Sequence, residues 1–513
     1  MTVLLNLSHQ ILNLSCRASL KKFQKNASQL EQIQRAKLSH ILKLKGQKLQ
    51  SYEDFAQQFK VTRYADWKDK IEQSRSSRKN ELLDSPIIRF QPTSGSSDAL
   101  KFIPYTQDFL NELDQAITTW LSSLYFKYPK LKSSTHYWSV SWLPESQRSL
   151  LENENLNDDS ALLNFSKRVL GHFTQSVPAD IALAQSAESA MFATIVYLVA
   201  DENLGFISVW SPTFALQLLD LIEEHRLEIY QVLRTQRWTR SDLSYLKVPK
   251  NYAQAEKLLS LDFSQKEDWS KLWNKLTLIS SWDTSSAKQW ATKLRGRLPS
   301  QVSFEGKGLW ATEGVVTIPV LNHYPLSYHS HFYEFVRASD DQIVPSWVLQ
   351  QDDIVSPIIT TGSGLIRYQI DDELRVSEFM HGIPCFEFLG RKMTVDMVGE
   401  KLDHATAIHL IDTLKTSAYQ PISLLGVENS DHKKPFYVLL SQGDENHKPE
   451  ASKIDQILKQ NFHYELARNL GQLDEPEVIH VNDAWEFYRL TAMKNGMIEG
   501  NIKPEPLKKM KTI

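Results

Sequence analysis

The pattern of apolar and polar positions predicts that the chain begins with helices. Residues 1–80 contain few glycines and prolines, and their apolar residues recur at helical spacing. Ser51 opens the stretch "SYEDF", which is typical of a capped helix start. The first helix is expected to be amphipathic and to face the core with Leu4, Leu7, Ile11 and Leu14.

The pattern then alternates between strands and helices. The runs "SPIIRF" and "LKFIPYT" indicate two short strands within residues 85–106, on either side of a turn rich in hydroxyl residues. The elements predicted next are helices near 107–128 and 160–200, a buried strand at 206–212, a helix at 214–225 and a mostly helical, Trp-rich stretch at 250–300.

Strands dominate residues 301–390, where "GVVTIPV", "HFYEFV", "LIRYQI" and "CFEFLG" are apolar and rich in β-branched or aromatic residues. After Arg391 the pattern predicts a small α+β unit, with strands "PISLLGV" and "FYVLLS" around helices near 403–416 and 451–470. The fold class is therefore predicted as mixed α/β, with a large N-terminal domain at 1–390 and a small C-terminal domain at 391–513.

Composition narrows the function classes. The chain has 513 residues, 42% of them hydrophobic and 23% charged, with a net charge of −3, so no overall positive field favours nucleic acid. Cys16 and Cys385 are far apart, which argues against a disulfide scaffold or zinc site and fits a reducing compartment. The N-terminus lacks the basic start of a signal peptide, and no apolar run approaches the roughly 20 residues of a membrane span. A cytoplasmic protein without membrane contact is expected.

The first candidate site is the turn Thr93, Ser94, Gly95, Ser96 and Ser97, followed by a lysine at 101. Backbone N–H groups and hydroxyls in such a turn form a concave anion site, and the lysine adds positive charge. The turn lacks the Walker pattern, and a plain surface loop is the alternative interpretation.

Carboxylates occur in two later segments. In "GLWATEGVVTIPV", Glu313 occupies a turn of small residues from which it could hold a magnesium ion. In "TTGSGLIRYQIDDEL", two aspartates follow an apolar run, and a carboxylate there could accept hydrogen bonds from a ribose diol. A solvent-facing turn is the alternative for both segments.

The segment "CFEFLGRKMTVDMVGEKL" (385–402) combines a buried strand with two groups of charged residues. Arg391 and Lys392 form the first group, and Glu400 and Lys401 belong to the second. Cations here could meet phosphate and carboxylate oxygens. A hairpin with solvated charges is the alternative.

Taken in order, these segments resemble the auxin-responsive Gretchen Hagen family of acyl-acid amido synthetases, which belongs to the adenylate-forming superfamily. The resemblance spans nearly the whole chain. It begins at "SYEDFAQQFKVTRYADWKDKIE", continues through "TSGSSDALKFIP", "WATEG", "FYEFV", "GLIRYQIDD" and "FLGRKMTVDMVGEKL", and ends at "GNIKPEPL".

The resemblance implies a nucleotide site. It places Thr93, Ser94, Gly95, Ser96 and Ser97 on the phosphates of ATP. Thr312 and Glu313 would lie near the α-phosphate, the adenine and Mg²⁺, and Asp372 would bind the ribose hydroxyls.

The resemblance also implies a mobile C-terminal domain. Arg391 would open its hinge, and Lys401 would reach the nucleotide phosphate. Lys503, in "GNIKPEP", would be the catalytic lysine that this domain carries in. Two departures from the family pattern stand out: Asp371 replaces the usual glycine before the ribose aspartate, and Lys392–Met393 replaces a more acidic hinge.

The expected activity is ligation: ATP activates a carboxylic acid as an acyl-adenylate, and an amine, expected to be an amino acid, then forms the amide. The alternatives are an acyl-CoA ligase and a nucleotide-binding protein without catalysis, for which Asp371 is the sequence support. The wall of the acid pocket is predicted in "ISVWSPTFALQL" (207–218), where Trp210 and Phe214 favour an aromatic or apolar acid; plain core packing is the alternative. A monomer is expected.

Overall fold

The fold is seen in a computed structural model of the chain. The structure describes residues 2–48, 51–77, 79–93, 101–139, 174–391, 394–398, 400–428, 434–495, 497 and 502–513.

The first part of the chain contains the predicted helices. They are α1 (Thr2–Lys25), α2 (Leu30–Leu44), α3 (Tyr52–Gln58) and α4 (Tyr64–Ser77). Ser51 caps α3 through a complete capping box with Asp54, because each side chain accepts a hydrogen bond from the backbone N–H of the other residue. The predicted start of this helix is therefore confirmed.

The face that α1 buries differs from the predicted one. Leu7, Ile11 and Leu14 are 50%, 42% and 67% exposed, whereas Leu12 and Cys16 are buried. His9 is also buried, and its ring nitrogens lie 2.9 Å from the Tyr125 hydroxyl and 2.7 Å from the Ser134 carbonyl oxygen. The buried face of α1 therefore contains both polar and apolar side chains. Burial of His9 is tolerated because Tyr125 and Ser134 supply its hydrogen-bond partners.

A hairpin follows and leads into a long helix. Strands β1 (Ile87–Thr93) and β2 (Lys101–Thr106) pair antiparallel, and α5 (Gln107–Lys127) starts directly after them. The pair Thr93–Lys101 is the last in the register, so the two ends of the 94–100 segment are adjacent. The predicted pair of strands is confirmed, while the predicted turn between them, with Ser94 to Ser97, lies outside the described residues.

A four-stranded parallel sheet forms one layer of the molecule. Its strands, in spatial order, are β3 (Thr135–Trp138), β4 (Leu204–Ser208), β5 (Leu278–Ser280) and β6 (Ser303–Glu305). The helices between and around them are α6 (Ala187–Ala200), α7 (Pro212–Glu224), α8 (Arg226–Thr235), α9 (Tyr252–Leu259), α10 (Trp269–Leu272) and α11 (Lys288–Arg297).

Sequence prediction was partly wrong in this layer. The helix expected at 160–200 is seen only as α6, because residues 174–186 form bridges, turns and a short 3-10 helix, and 160–173 lie outside the described residues. The strand expected at 206–212 ends at Ser208, and β5 was missed within a stretch predicted as helical.

A six-stranded antiparallel sheet forms a second layer, preceded by the two-residue strands β7 (Trp310–Ala311) and β8 (Gly314–Val315). Its strands are β9 (Phe332–Arg337), β10 (Ile343–Pro345), β11 (Ile354–Thr360), β12 (Tyr368–Gln369), β13 (Asp372–Met380) and β14 (Ile383–Arg391). The spatial order is β10-β9-β11-β13-β14, with β12 paired to β11.

A buried ion pair joins this sheet to the N-terminal helices. Nε and Nη2 of Arg367 donate to Glu334 at 3.0 and 2.8 Å, and Nη1 donates to the carbonyl oxygens of Ala56 and Phe59 at 2.9 and 2.6 Å. The Tyr52 hydroxyl donates to Glu334 at 2.8 Å. Both charged side chains are buried, and this full set of partners is what makes such burial tolerable.

The C-terminal part is a small α+β unit, as predicted. A short hairpin, β15 (Thr394–Val395) with β16 (Leu402–Asp403), leads to α12 (His404–Leu414) and a mixed four-stranded sheet. The remaining elements are β17 (Tyr419–Val427), β18 (Phe436–Gly443), α13 (Ala451–Leu458), α14 (Phe462–Asn469), β19 (Glu477–His480), α15 (Ala484–Lys494) and β20 (Leu507–Met510).

The C-terminal unit packs on the helices beside the parallel sheet. Trp290 of α11 and Trp485 of α15 have ring centroids 5.7 Å apart. One apolar cluster includes Leu218 of α7 together with Leu425 and Tyr488 of the C-terminal unit. Of the helices in the described residues, none is both long enough and apolar enough to cross a membrane.

Candidate active site

Thr312 and Glu313 form the turn between β7 and β8, as the sequence predicted for Glu313. The Tyr368 hydroxyl donates to Oε1 of Glu313 at 3.0 Å, and the Tyr105 hydroxyl donates to the Thr312 carbonyl oxygen at 3.0 Å. Burial and the neighbouring Glu313 carboxylate raise the pKa of Tyr368, so this phenol stays a hydrogen-bond donor. The turn is thus held from two sides.

The same turn lies close to the base of the β1–β2 hairpin. The Tyr64 hydroxyl accepts a hydrogen bond from the Phe102 amide at 3.0 Å, and Nζ of Lys101 lies 5.6 Å from the centroid of the Tyr64 ring. Burial raises the pKa of Tyr64, and the Glu313 carboxylate contributes to that shift. The structure therefore brings the predicted magnesium ligand next to the hairpin whose turn is the predicted phosphate site.

The two consecutive aspartates have different environments. Asp371 is exposed and pairs with Arg63, whose Nη1 lies 2.5 Å from its Oδ1. Asp372 is 3% exposed, opens β13 and stands opposite Arg391 in the β13–β14 register. Consecutive side chains at the start of a strand point to opposite faces, so the carboxylate of Asp371 faces solvent while that of Asp372 is buried. The aspartate that replaces the family glycine therefore lies on the solvent side.

Of the predicted hinge residues the structure describes Arg391, which lies at the end of the antiparallel sheet. Arg391 is the last residue of β14, and Lys392 and Met393 are outside the described residues. Lys401 is exposed and has a φ of 44° in the connection between β15 and β16. The predicted roles of Arg391 and Lys401 remain predictions.

Glu400, next to Lys401, has a structural role that the sequence did not predict. Glu400 is fully buried and accepts hydrogen bonds from the amides of Met397 and Val398 at 2.9 and 2.8 Å and from the Tyr437 hydroxyl at 2.6 Å. These bonds fix the conformation of the backbone directly before Lys401, so the lysine follows a rigid segment.

Lys503 of the C-terminal unit contacts Trp282, a tryptophan that packs against the predicted acid wall. Its Nζ lies 3.7 Å from the centroid of the Trp282 ring, within the range of a cation–π contact. The rings of Trp282 and Trp210 have centroids 5.4 Å apart, and the Trp282 amide donates to the Trp210 carbonyl oxygen at 3.0 Å. The centroids of Trp210 and Trp310 are 6.3 Å apart. Phe214, in the first turn of α7, is half-buried against the core.

A second buried network supports the Glu313 turn and was missed by sequence reasoning. Val315, two residues after Glu313, donates its amide hydrogen to Nε2 of His331 at 3.1 Å. The other ring nitrogen, Nδ1, therefore carries the proton and donates to Oε2 of Glu112 at 2.8 Å. The same oxygen accepts the Gly362 amide at 2.9 Å. No local sequence signal connects these residues, which lie up to 250 positions apart.

The described residues contain one group of three metal-ligating side chains, His323, Glu378 and Cys385, and it does not include Glu313. A cation held by Glu313 would thus have to share its other ligands with water and with the phosphates of a nucleotide, which is the usual mode of Mg²⁺ binding. The structure brings a fixed carboxylate to the base of the β1–β2 hairpin, while Lys503 of the C-terminal unit lies against Trp282. This combination suits phosphoryl chemistry on a bound carboxylic acid.

Comparison with known proteins identifies the family. Residues 19–302 match the GH3 family N-terminal domain, and residues 324–391 match the GH3 family central domain. The indole-3-acetic acid-amido synthetase GH3.15 of Arabidopsis thaliana is 23% identical over 380 residues, which are 67% of this chain. The matched part spans 63% of that relative's length.

Two solved structures have the same fold. The GH3.15 acyl acid amido synthetase in complex with 2,4-DB has a TM-score of 0.76 and 17% identity, with 96% of this chain and 94% of that chain covered. A second GH3.15 acyl acid amido synthetase structure has a TM-score of 0.75 and 16% identity, with 96% and 93% covered.

The fold is thus that of the acyl acid amido synthetases. The chain belongs to the GH3 family, which the matches to two successive family domains show. The family predicted from the ordered motifs and the mixed α/β fold class are both confirmed.

Proposed function

We propose that this protein is an ATP-dependent acyl-acid amido synthetase. It activates a carboxylic acid as an acyl-adenylate and transfers the acyl group to the amine of an amino acid. The observation that carries the proposal is the contact between the Glu313 turn and the β1–β2 hairpin, because these two segments come from different parts of the chain and each matches a family motif.

In the first step, a carboxylate oxygen attacks the α-phosphorus of ATP, and the bond to the bridging oxygen of the β-phosphate breaks. Pyrophosphate leaves with the electron pair of that bond. The turn at Thr93 to Ser97 donates hydrogen bonds to the phosphates, Thr312 lies beside the α-phosphate, and Asp372 holds the ribose. Fixed donors and cations are the main requirement here, since negative charge builds up on the phosphate oxygens.

Magnesium fits the chemistry of Glu313. Its carboxylate is half-buried and already oriented by Tyr368, and hard oxygen ligands of this kind are preferred by Mg²⁺. The ion, when bound, neutralises charge on the phosphates of ATP. Replacing Glu313 by Gln should raise the Mg²⁺ concentration needed for half-maximal activity.

In the second step, the amine nitrogen attacks the acyl carbonyl carbon, the bond to the AMP oxygen breaks, and the nitrogen loses a proton. AMP and the amide are the products. Arg391 and Lys392 act as the hinge of the C-terminal unit, which presents Lys401 or Lys503 to the nucleotide. Trp210 and Phe214 contact the acid.

The test is acid-dependent exchange of pyrophosphate into ATP with a panel of aromatic, benzoate, jasmonate-like and fatty acids. Exchange with at least one class is expected, and it should require Mg²⁺. With the best acid, an amino acid should discharge the adenylate faster than CoA does, and mass spectrometry should detect the N-acyl amino acid. Faster AMP release with CoA would replace the proposal by a thioester-forming ligase. Tight ATP binding without any exchange would replace it by a non-catalytic nucleotide-binding protein.

The proposal includes a cytoplasmic monomer. The low number of cysteines supports this location, because it fits a reducing compartment. Size-exclusion chromatography with light scattering should give a mass near 59.1 kDa.

A further inference from the structure

Three side chains with metal-binding atoms meet near the tip of the β13–β14 hairpin. His323 offers a ring nitrogen, Glu378 a carboxylate oxygen and Cys385 its Sγ, and these atoms all lie within 4.8 Å of one another. Nδ1 of His323 is 2.7 Å from Oε1 of Glu378. A nitrogen, an oxygen and a sulfur donor in one place form a set that suits Zn²⁺, because this ion binds histidine, carboxylate and thiolate ligands.

Strand pairing brings the three residues to one face of the sheet. Glu378 and Cys385 are directly opposite each other in the β13–β14 register, and Cys385 also pairs with Pro325 on its other side. Residues two positions apart in an extended segment share a face, so His323 lies on the same face as Pro325. The short thiol therefore comes from the middle of three adjacent segments, and the two longer side chains reach toward it from both flanks.

The backbone that presents His323 is held on two sides. Val320 and His323 exchange two backbone hydrogen bonds of 2.9 Å around Leu321 and Asn322, whose φ values are 50° and 72°. Positive φ at both central residues is characteristic of the type I′ turn of tight hairpins. The Leu321 amide also donates to Oγ of Ser123 at 3.0 Å, which anchors the turn to α5. The histidine therefore starts from a fixed position.

The cysteine is buried, whereas the other two side chains border solvent. Cys385 is 1% exposed, and the side chains of His323 and Glu378 are 38% and 50% exposed. Burial and the Glu378 carboxylate raise the pKa of the Cys385 thiol to about 12, so a proton occupies the sulfur until a cation displaces it. An ion can thus approach from solvent between the two exposed ligands and bind the sulfur at the inner end.

The separations fit one ion after a small adjustment. Ligand atoms that bind Zn²⁺ at about 2.0–2.3 Å in a tetrahedron are roughly 3.5 Å apart. The observed separations are 2.7 Å between His323 and Glu378 and at most 4.8 Å for the other pairs. Shifts of about 1 Å are therefore enough, and the half-exposed Glu378 side chain can make them by rotating about its own bonds.

This group of side chains is separate from the proposed nucleotide site. Glu378 lies six residues along β13 from Asp372, which corresponds to roughly 20 Å at about 3.3 Å per residue. One hairpin thus carries the predicted ribose aspartate at one end and the metal-binding side chains at the other.

We propose that His323, Glu378 and Cys385 bind one Zn²⁺ ion, with water as the fourth ligand. On binding, the sulfur–hydrogen bond is replaced by a sulfur–zinc bond, and the proton passes to solvent. The ion joins the turn at 320–323 to the β13–β14 hairpin. This inference does not depend on the proposed ligation.

The test uses the untagged full-length protein after treatment with a chelator. Calorimetry should show one Zn²⁺ bound per chain, and bound Co²⁺ should give the near-ultraviolet absorption of a cobalt–thiolate bond. Cys385→Ser should remove that absorption and lower the Zn²⁺ affinity at least about tenfold, since the loss of even an outer partner of a metal ligand costs this much. Cys16→Ala, which removes the other cysteine, should change neither result.

Glu378→Gln is a milder variant, because its side chain is half exposed and the protein should fold even if Cys385→Ser does not. It should also lower the Zn²⁺ affinity at least about tenfold. Glu387→Gln is the matched control, as Glu387 is exposed on the same face of β14 and pairs with Arg375. It should bind Zn²⁺ as the wild type does. The proposal is overturned if the wild type binds no Zn²⁺, if its Co²⁺ complex lacks the thiolate absorption, or if Glu378→Gln and Glu387→Gln have equal affinities.

Discussion

One carboxylate oxygen of Glu112 accepts hydrogen bonds from both His331 and the Gly362 amide, and thereby ties α5 to two loops of the antiparallel layer. In the first loop His331 accepts the amide hydrogen of Val315 in β8, and the second loop leads through β12 to Asp372. The network thus sets the spacing between the Glu313 turn and the predicted ribose aspartate without touching a substrate itself.

Replacing His331 by Gln should therefore raise the KM for ATP in the exchange reaction, by about tenfold or more, because the turn loses its fixed position. The free energy of unfolding should fall by roughly 1–3 kcal/mol, since Glu112 loses the hydrogen bond from His331 and keeps only the Gly362 amide and, at 3.9 Å, the Lys37 ammonium. Gln254→Leu is the matched control, as Gln254 is buried and donates to the Leu272 carbonyl oxygen at 2.8 Å, away from the turn. An equal rise in KM in both variants would show that the effect is only loss of stability.

The two aspartates are expected to behave differently. Asp372→Ala should raise the KM for ATP at least about tenfold, because charged hydrogen bonds to the ribose hydroxyls are lost. Asp371→Gly should change it little, since the exposed ion pair with Arg63 contributes at most about 1 kcal/mol. Steady-state exchange kinetics at varied ATP measure both. The opposite ranking would assign the ribose to Asp371.

Lys503 should be needed for catalysis through its position on Trp282. Lys503→Met should lower the exchange rate by about 10- to 100-fold, because a cation near the developing charge is lost. Trp282→Phe, which keeps an aromatic face under the ammonium, should be milder than Trp282→Leu. Lys453→Met, at an exposed position of α13, is the control. A wild-type rate in Lys503→Met would exclude the lysine from the reaction.

Acid should destabilise the protein through His9. Burial lowers the pKa of His9 to about 4, below the value of about 6.5 in an unfolded chain. The unfolded state therefore binds more protons between these two values, so stability is full above pH 6.5 and falls as the pH drops toward 4. The loss at pH 5 should be about 2 kcal/mol.

Denaturant unfolding of the wild type and His9→Gln at pH 7 and pH 5 measures this difference. The variant should start lower, because it loses buried hydrogen bonds, and should decline less between the two pH values. His463→Gln, at an exposed position, should keep the wild-type decline. The same decline in all three proteins would locate the acid sensitivity elsewhere, for example at His136, whose pKa burial lowers to about 3.

Local patterns were sufficient for much of the fold. The hairpin around the turn at 94–100, the capped start of α3 and the amphipathic helix α7 each depend on neighbouring residues, and they were predicted correctly. The buried face of α1 was predicted wrongly, because leucines occupy two faces of that helix. The choice between them depends on Tyr125 and Ser134, more than 100 positions away, which satisfy His9.

In the candidate site, too, sequence analysis found the residues that belong to local motifs and missed those that depend on distant contacts. The turn residues, Glu313 and Asp372 were found by order and spacing along the chain, and their roles stay predictions. Lys307 is buried, and sequence analysis missed it because a lysine between two glycines is typical of a surface turn. Its burial depends on indoles from three distant segments, which no local pattern reveals.

The contact between Arg367 and the carbonyl oxygens at Ala56 and Phe59 has a consequence for how such proteins can diverge. The guanidinium takes one acceptor from α3 and another from Phe59, which directly follows the helix, and it thereby fixes α3 against the antiparallel sheet. Recombination with a relative between positions 60 and 330 would separate Arg367 and Glu334 from their partners at 52–59. Because Ala56 and Phe59 contribute backbone carbonyl oxygens, which any residue supplies, such chimaeras should fold when the relative places α3 in the same position and carries a tyrosine at position 52.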